Sequence, residues 1–277
     1  MLHFGHLSTW LLLLTKFIHR KEIILWGQGI SVKRYLYEEK NPSILLQSMI
    51  RFADSVWLYT EKEKNQWKKL FPKKNIVALN NTISGVERIL ELDIPTEKTE
   101  LKLKYNINSE RCFIFSARFN NPNRRTDLLI EIIKKSDPNK FAFIIIGDGN
   151  LKPCFSEFPN VYDFGAVYET ELKDDLFTIA DMYLQPGWVG LSIVEAMAYG
   201  KPVITFKRSE TILQCVEYHY LIDGHNAILV DTVASFFSKI SELKKSEIYT
   251  MGKNGREYVR YNLLMSNMVS NALKSLN

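Results

Sequence analysis

The chain has 277 residues, 46% of them hydrophobic and 24% charged, with a formal net charge of +5. That apolar share supports one large or two ordinary cores and argues against a disordered or collagen-like chain. The basic residues are scattered, as in Lys62, Lys64, Lys68 and Lys69, rather than gathered in one arm. A solvated face explains them, and attraction to anionic headgroups or a phosphorylated substrate is the functional alternative; nucleic acid is not indicated.

Taken in chain order, Trp10–Leu14 is strongly apolar but too short to span a bilayer, and Lys16 interrupts it. With no basic residue before it that segment reads as a buried helix capped by Ser8 or Thr9, extending to about Arg20, not as a signal peptide. The strand 22–26, a Gly27-Gln28-Gly29 turn, a helix around 32–39 and a helix over 43–53 follow. After the strand 55–59, Thr60-Glu61-Lys62-Glu63 has the spacing of a capping box opening a helix to Leu70, and Pro72 precedes the strand 76–79. From about Val86 to Asn108 the apolar blocks stop, which marks an interdomain connection. A second series then has strands at 112–116, 141–146, 161–164, 182–184, 203–206 and 228–230, alternating with helices. Such alternation predicts parallel sheets with crossover helices. The expected division is a first domain over 1–86, a second over 106–254 and a helical segment over 255–277.

Cys112, Cys154 and Cys215 are an odd, widely spaced set without a Cys-x-x-Cys pair. They read as buried thiols in a reducing compartment, with no structural zinc. Gly27-Gln28-Gly29 after a strand raises a dinucleotide-binding reading, but Val32 stands where the third glycine belongs and no acidic residue follows at the right distance.

Residues 181–205 are the most informative stretch. A short strand ends at Pro186, Gly187 and Gly190 bracket a turn, a helix runs from about Leu191 to Tyr199, and Gly200 stops it before Lys201-Pro202-Val203-Ile204. A helix starting after a glycine turn at a strand end aims unpaired N–H groups and a positive dipole end at one spot, which suits a phosphate. The stretch resembles the nucleotide-sugar motif of the family 4 GT-B glycosyltransferases, whose usual form is Pro-x-x-x-Glu-Gly-Phe-Gly-Leu, three residues, then Glu-Ala-Met-Ala-x-Gly-x-Pro-Val-Ile. The tail matches from Gly190 onward; the first glutamate of the form falls on Gly187. Ser116-Ala117-Arg118-Phe119 through Asn120–Asn123 to Arg124-Arg125-Thr126-Asp127 likewise resembles the family's Gly-Arg-Leu, loop, Lys-Gly-x-Asp element, with a loop one residue longer.

The resemblance implies an α/β GT-B protein: two Rossmann-like domains facing across a cleft, the first incomplete in this sequence. It covers 106–230 closely and 1–85 more loosely. It further implies that Arg118 and Arg124, or less well Arg125, neutralise the donor diphosphate, and that Glu195 accepts hydrogen bonds from the ribose. The N–H groups of Gly190, Leu191 and Ser192 would cradle phosphate. Gly147 and Gly149 would border the nucleotide, and the segment ending in Val167 would border the base, with Tyr168 as its candidate aromatic. Gln28 stands where relatives often have a sugar-facing histidine, and His3 and His6 lie in an earlier loop. The activity implied is retaining, metal-independent transfer of a sugar from a UDP- or GDP-sugar to a glycan or lipid-linked glycan acceptor in surface polysaccharide assembly. No cofactor beyond the donor is implied; the setting is the cytoplasm, with peripheral contact at the inner membrane. The rival reading is a truncated, non-catalytic nucleotide-sugar-binding protein, or one that needs a partner.

Overall fold

The computed structural model describes residues 2–4, 7–18, 21–95 and 97–276. Its contacts divide the chain into two compact units, one holding residues 1–82, 215–219 and 262–277 and the other holding 83–214 and 220–261. The boundary is therefore crossed more than once. The expected helical tail 255–277 is split, its first seven residues belonging to the second unit and the rest to the first.

The first unit has β1 (Leu2–His3), α1 (Leu7–Leu14), β2 (Ile24–Gly27), α2 (Tyr35–Glu38), α3 (Ile44–Phe52), β3 (Ser55–Leu58), α4 (Glu61–Leu70) and β4 (Asn75–Ala78). The four strands pair in parallel in the order β1-β2-β3-β4. Leu13, Leu25, Met49, Ile50, Val56, Leu58, Trp67 and Ile76 form its core. Three expectations need correction here. Ser8 and Thr9 lie inside α1 rather than capping it, because the helix starts at Leu7, and Leu11, Leu12 and Leu14 are exposed while Leu13 is buried. Thr60 makes no side-chain cap; its hydroxyl is turned onto the buried carboxylate of Glu63. That carboxylate also accepts from the Tyr35 hydroxyl at 2.6 Å, so tertiary burial overrides the local cap. His6 and Arg20 lie outside the described residues, and only the backbone of His3 is described.

In the second unit α5 (Val86–Glu91) and α6 (Thr99–Lys104) occupy the stretch expected to be the interdomain connection. Their short, charged sequences hide their periodicity, yet Val86 and Ile89 are buried. Then come β5 (Arg111–Ser116), α7 (Thr126–Lys135), β6 (Phe141–Ile146), β7 (Val161–Asp163), α8 (Thr170–Ile179), β8 (Met182–Leu184), α9 (Ser192–Ala198), β9 (Val203–Phe206), β10 (Ala227–Val230), α10 (Val233–Glu242) and α11 (Lys245–Asn262). α12 (Met265–Lys274) belongs to the first unit. The six strands are all parallel in the order β10-β9-β8-β5-β6-β7. Their near-continuous Ile, Val and Phe runs suit a sheet buried on both faces. The chain winds outward from β5 to β7, then returns to β8 and winds the other way, so the topological switch lies between β5 and β8. In open α/β sheets that point, at the carboxyl ends of the strands, is where ligands bind. Cys112 and Cys215 are buried as expected, but Cys154 is exposed.

Candidate functional site

The loops leaving β5, β6 and β8 meet at this switch point. Tyr183 on β8 is fully buried, and its single hydroxyl proton lies between two acceptors, the Ser116 carbonyl that ends β5 and Gln185 Oε1, each 2.8 Å from the phenol oxygen. Burial pushes the Tyr183 phenol up to about 12, so it stays a neutral donor. Gln185 is the hub of the loop. Its Oε1 also accepts from the Ser192 hydroxyl at 2.8 Å, and its Nε2 donates to the carbonyls of Gly187 at 3.2 Å and Trp188 at 2.7 Å. Gln214, equally buried, accepts from the Val189 N–H at 2.7 Å. Two buried glutamines thus fix a loop whose sequence alone gives it no regular structure, with every amide group employed.

The sequence-predicted residues separate into those brought together here with free bonding capacity and those that are not. Arg118 follows β5, is exposed, and makes no hydrogen bond or ion pair among the described residues. Arg124 ends a short 3-10 turn, and its Nε and Nη1 are buried without a partner. Arg125 differs: its guanidinium is bonded to Asp127 at 2.6–3.1 Å and to the Thr211 carbonyl at 3.1 Å. The Asp127 hydrogen bonds hold the Arg125 pKa above its ordinary value. Of the two arginines, Arg124 is the one with donors to spare, and a buried unpaired guanidinium is costly unless an anion meets it.

Glu195 lies in the first turn of α9, and its Oε1 accepts from Lys173 on α8 at 2.9 Å. Lys173 was not legible as a site residue, because it sits in an ordinary amphipathic helix. Beside it, Asp174 forms a bidentate pair with Arg88 of α5 at 2.7 and 2.8 Å and accepts from Tyr199, four residues after Glu195. The α8 residues Lys173 and Asp174 therefore hold both ends of α9, with α5 bracing them.

The N–H groups of Gly190, Leu191 and Ser192 donate to no acceptor among the described residues. Those of Gly147 and Gly149 are engaged, with the Gly165 carbonyl at 2.7 Å and Asp148 Oδ1 at 2.8 Å. Both of these glycines have positive φ, and a Cβ on Gly147 would lie 1.9 Å from the Ala117 carbonyl oxygen. Their observed work is to let the β6 loop pass against the β5 loop. Val167 is half-buried, and Tyr168 stands 91% exposed, which excludes core packing for that ring. Gln28, in the first unit, is half-buried in the turn after β2, where Gly29 accepts from the Trp67 indole at 2.8 Å. Among the described residues no group of three or more His, Cys, Asp or Glu could hold a metal ion.

Gly187 accounts for one departure from the family form. A Cβ there would lie 2.4 Å from the Asn123 carbonyl oxygen and 2.8 Å from Arg125 Cγ. The loop one residue longer than usual lies against this glycine, so the added residue and the missing side chain are two halves of one packing arrangement.

Residues 110–246 match the family model described as Glycosyl transferases group 1. A Klebsiella pneumoniae protein described as an uncharacterized 41.2 kDa protein in cps region is 34% identical over 139 residues; the match spans 48% of this chain and only 36% of that protein. Among solved structures, Anabaena HepE in complex with UDP and glucose superposes with a TM-score of 0.67 at 14% identity, covering 97% of this chain and 75% of that one. The lipopolysaccharide outer core galactosyltransferase WaaB gives 0.66 at 14%, covering 97% and 72%. A glycosyltransferase from Rickettsia africae gives 0.66 at 16%, covering 98% and 74%. At these identities the superpositions speak to fold alone. The fold is GT-B, and the stretch 110–246, most of it in the second unit, is similar to the glycosyl transferases group 1 family.

Proposed function

We propose that the protein transfers a sugar from a nucleoside diphosphate sugar to a hydroxyl of a glycan or lipid-linked glycan, in assembly of a cell-surface polysaccharide or lipopolysaccharide. The observation that carries this reading is Arg124. Its Nε and Nη1 are buried without a partner among the described residues, on the loop that lies against Gly187; Arg124 and Glu195 both act electrostatically on Tyr183, which Gln185 links to Ser192 at the free N–H groups of 190–192. This combination suits a diphosphate with a ribose beside it. The UDP bound to HepE and the cps-region context of the Klebsiella protein agree with the reading.

In the reaction, the bond between the anomeric carbon and the diphosphate oxygen breaks, and the acceptor oxygen bonds to that carbon. Negative charge grows on the leaving diphosphate, where Arg118, Arg124 and the 190–192 N–H groups stabilise it more than they stabilise the ground state. With retention of configuration the acceptor enters on the face the diphosphate leaves, so a diphosphate oxygen can take the acceptor proton. The scheme uses no histidine and no metal ion. Glu195 binds the ribose with the carboxylate oxygen that Lys173 leaves free. We place the enzyme on the cytoplasmic side, in peripheral contact with the inner membrane where lipid-linked acceptors are held.

Assays with UDP- and GDP-sugars, read by release of the nucleoside diphosphate with and without membrane lipid extracts, test the proposal. Acceptor-dependent release that disappears in Arg124→Met supports it. Tight binding of nucleotide with no turnover on any donor would overturn catalysis in favour of a nucleotide-sugar-binding protein. No binding at all would remove both readings.

A further inference from the structure

Four non-glycine residues have positive φ among those described: Asn80, Asn106, Arg125 and Trp188. Asparagine adopts this region readily, whereas a bulky aromatic there is a strained outlier. Arg125 and Trp188 belong to the two loops that meet at Gly187, and in the family form the position of Trp188 is glycine. Glu-Gly has thus become Gly-Trp: the side chain is removed at 187, where Asn123 leaves no room, and a large one is placed at 188.

The surroundings hold Trp188 in this conformation from both sides. Its N–H donates to the Leu213 carbonyl at 2.8 Å, its own carbonyl accepts from the buried Gln185 at 2.7 Å, and the next N–H is bound by the buried Gln214 at 2.7 Å. The indole is half-buried, stacks on no other aromatic ring and gives its N–H to no acceptor among the described residues. A strained aromatic that fills no core, held by two fully employed buried glutamines, is built for something other than stability. It lies two residues before the free N–H groups at Gly190 that are proposed to bind phosphate.

We propose that Trp188 is a sugar-contacting, specificity-determining residue, its indole face packing on the C–H face of the hexose in the donor. This rests on the donor-binding reading above and deepens it. The apolar ring covers the hydrogens of a pyranose while the N–H remains for a hydroxyl, a division of labour that suits an amphipathic aromatic. It places recognition of the donor sugar on surface complementarity, where the family form has a carboxylate. The nucleobase is the less suitable partner, because Trp188 is on the β8 loop, whereas the base is expected at the 161–168 segment after β7.

The test compares titration calorimetry of UDP and GDP with that of UDP-glucose, UDP-galactose, UDP-N-acetylglucosamine and GDP-mannose on wild type, W188F and W188G. Glycine suits positive φ, so W188G keeps the loop conformation and melts no lower than wild type, which separates binding from folding. The expected result is that W188G weakens the preferred sugar nucleotide by about tenfold and flattens discrimination between hexoses, while the free nucleotide changes by less than about twofold. W188F falls between. Equal weakening of free nucleotide and sugar nucleotide would put the ring against base or phosphate and overturn the proposal. So would unchanged hexose discrimination in W188G. If wild type binds no nucleotide of any kind, it is the donor-binding reading that has failed, and this inference falls with it.

Discussion

Two glycine-bearing loops of the second unit look alike in sequence and do different work. Gly147-Asp148-Gly149 follows β6 and Gly187–Gly190 follows β8, both at the carboxyl edge of the sheet. In the first, the N–H groups are consumed within the protein and the glycines serve close passage of one loop over another. In the second, the N–H groups of 190–192 meet no acceptor among the described residues, while the loop behind them is fixed by Gln185 and Gln214. The difference teaches that a glycine turn at a strand end is an anion site only when the backbone donors are left over after packing.

The largest effect that sharpens this comparison is Gly147→Ala. Its Cβ would collide with the Ala117 backbone at a φ that alanine avoids, so a loss on the order of 3–4 kcal/mol is expected in denaturant unfolding. A G147A protein of wild-type stability would break the packing account of that loop. Next comes Gly187→Glu, which restores the family's residue but not its function. The Asn123 carbonyl must move, and we expect a cost of about 2–3 kcal/mol together with weaker nucleotide binding. Stability unchanged in G187E would show that the 120–125 loop yields easily.

Smaller effects distinguish the neighbouring arginines. Arg125→Met should lower stability by about 1 kcal/mol through loss of its bonds to Asp127 and Thr211, with little change in nucleotide affinity. Arg124→Met should do the reverse, since its buried Nε and Nη1 have no partner among the described residues. The smallest effect is a pH dependence away from the site. Burial works against the Asp181 carboxylate, but Lys98 at 2.8 Å and the Cys112 N–H at 2.8 Å outweigh it and hold its pKa below the ordinary value of 3.8. A carboxylate lowered in the folded state adds stability that is present above its unfolded pKa and lost as pH falls through the folded one. Wild type should therefore lose a little more stability than D181N between pH 6 and pH 3, on the order of 0.5 kcal/mol; parallel curves would contradict the assignment.

Much of this was legible in the sequence, for physical reasons. The strands 141–146, 182–184 and 203–206 are found over the residues their β-branched and aromatic runs predict, because burial on both faces leaves no other use for such runs. Arg118, Arg124 and Glu195 were singled out through a family pattern, and strand order puts the loops that carry them at the carboxyl ends of β5 and β8, neighbours in the sheet. What could not be read depends on contacts distant in sequence. The choice between Arg124 and Arg125 is made by a left-handed residue and by Asp127 and Thr211. Lys173 reaches Glu195 only because α8 lies beside α9. The short helices over 86–104 were missed because few of their residues are apolar. Gln185 and Gln214 carry no local signal, since an amide acquires meaning only from what surrounds it.

Whether the second unit holds a nucleoside diphosphate between Arg124 and the 190–192 backbone is decided by titration calorimetry of UDP and GDP against wild type and Arg124→Met, with thermal melts of both. We expect binding by wild type, a loss of about 10- to 100-fold in affinity in R124M, and a melting temperature for R124M equal to or above that of wild type. Equal affinity of the two proteins for the nucleotide, or loss of binding only in step with unfolding, would contradict it.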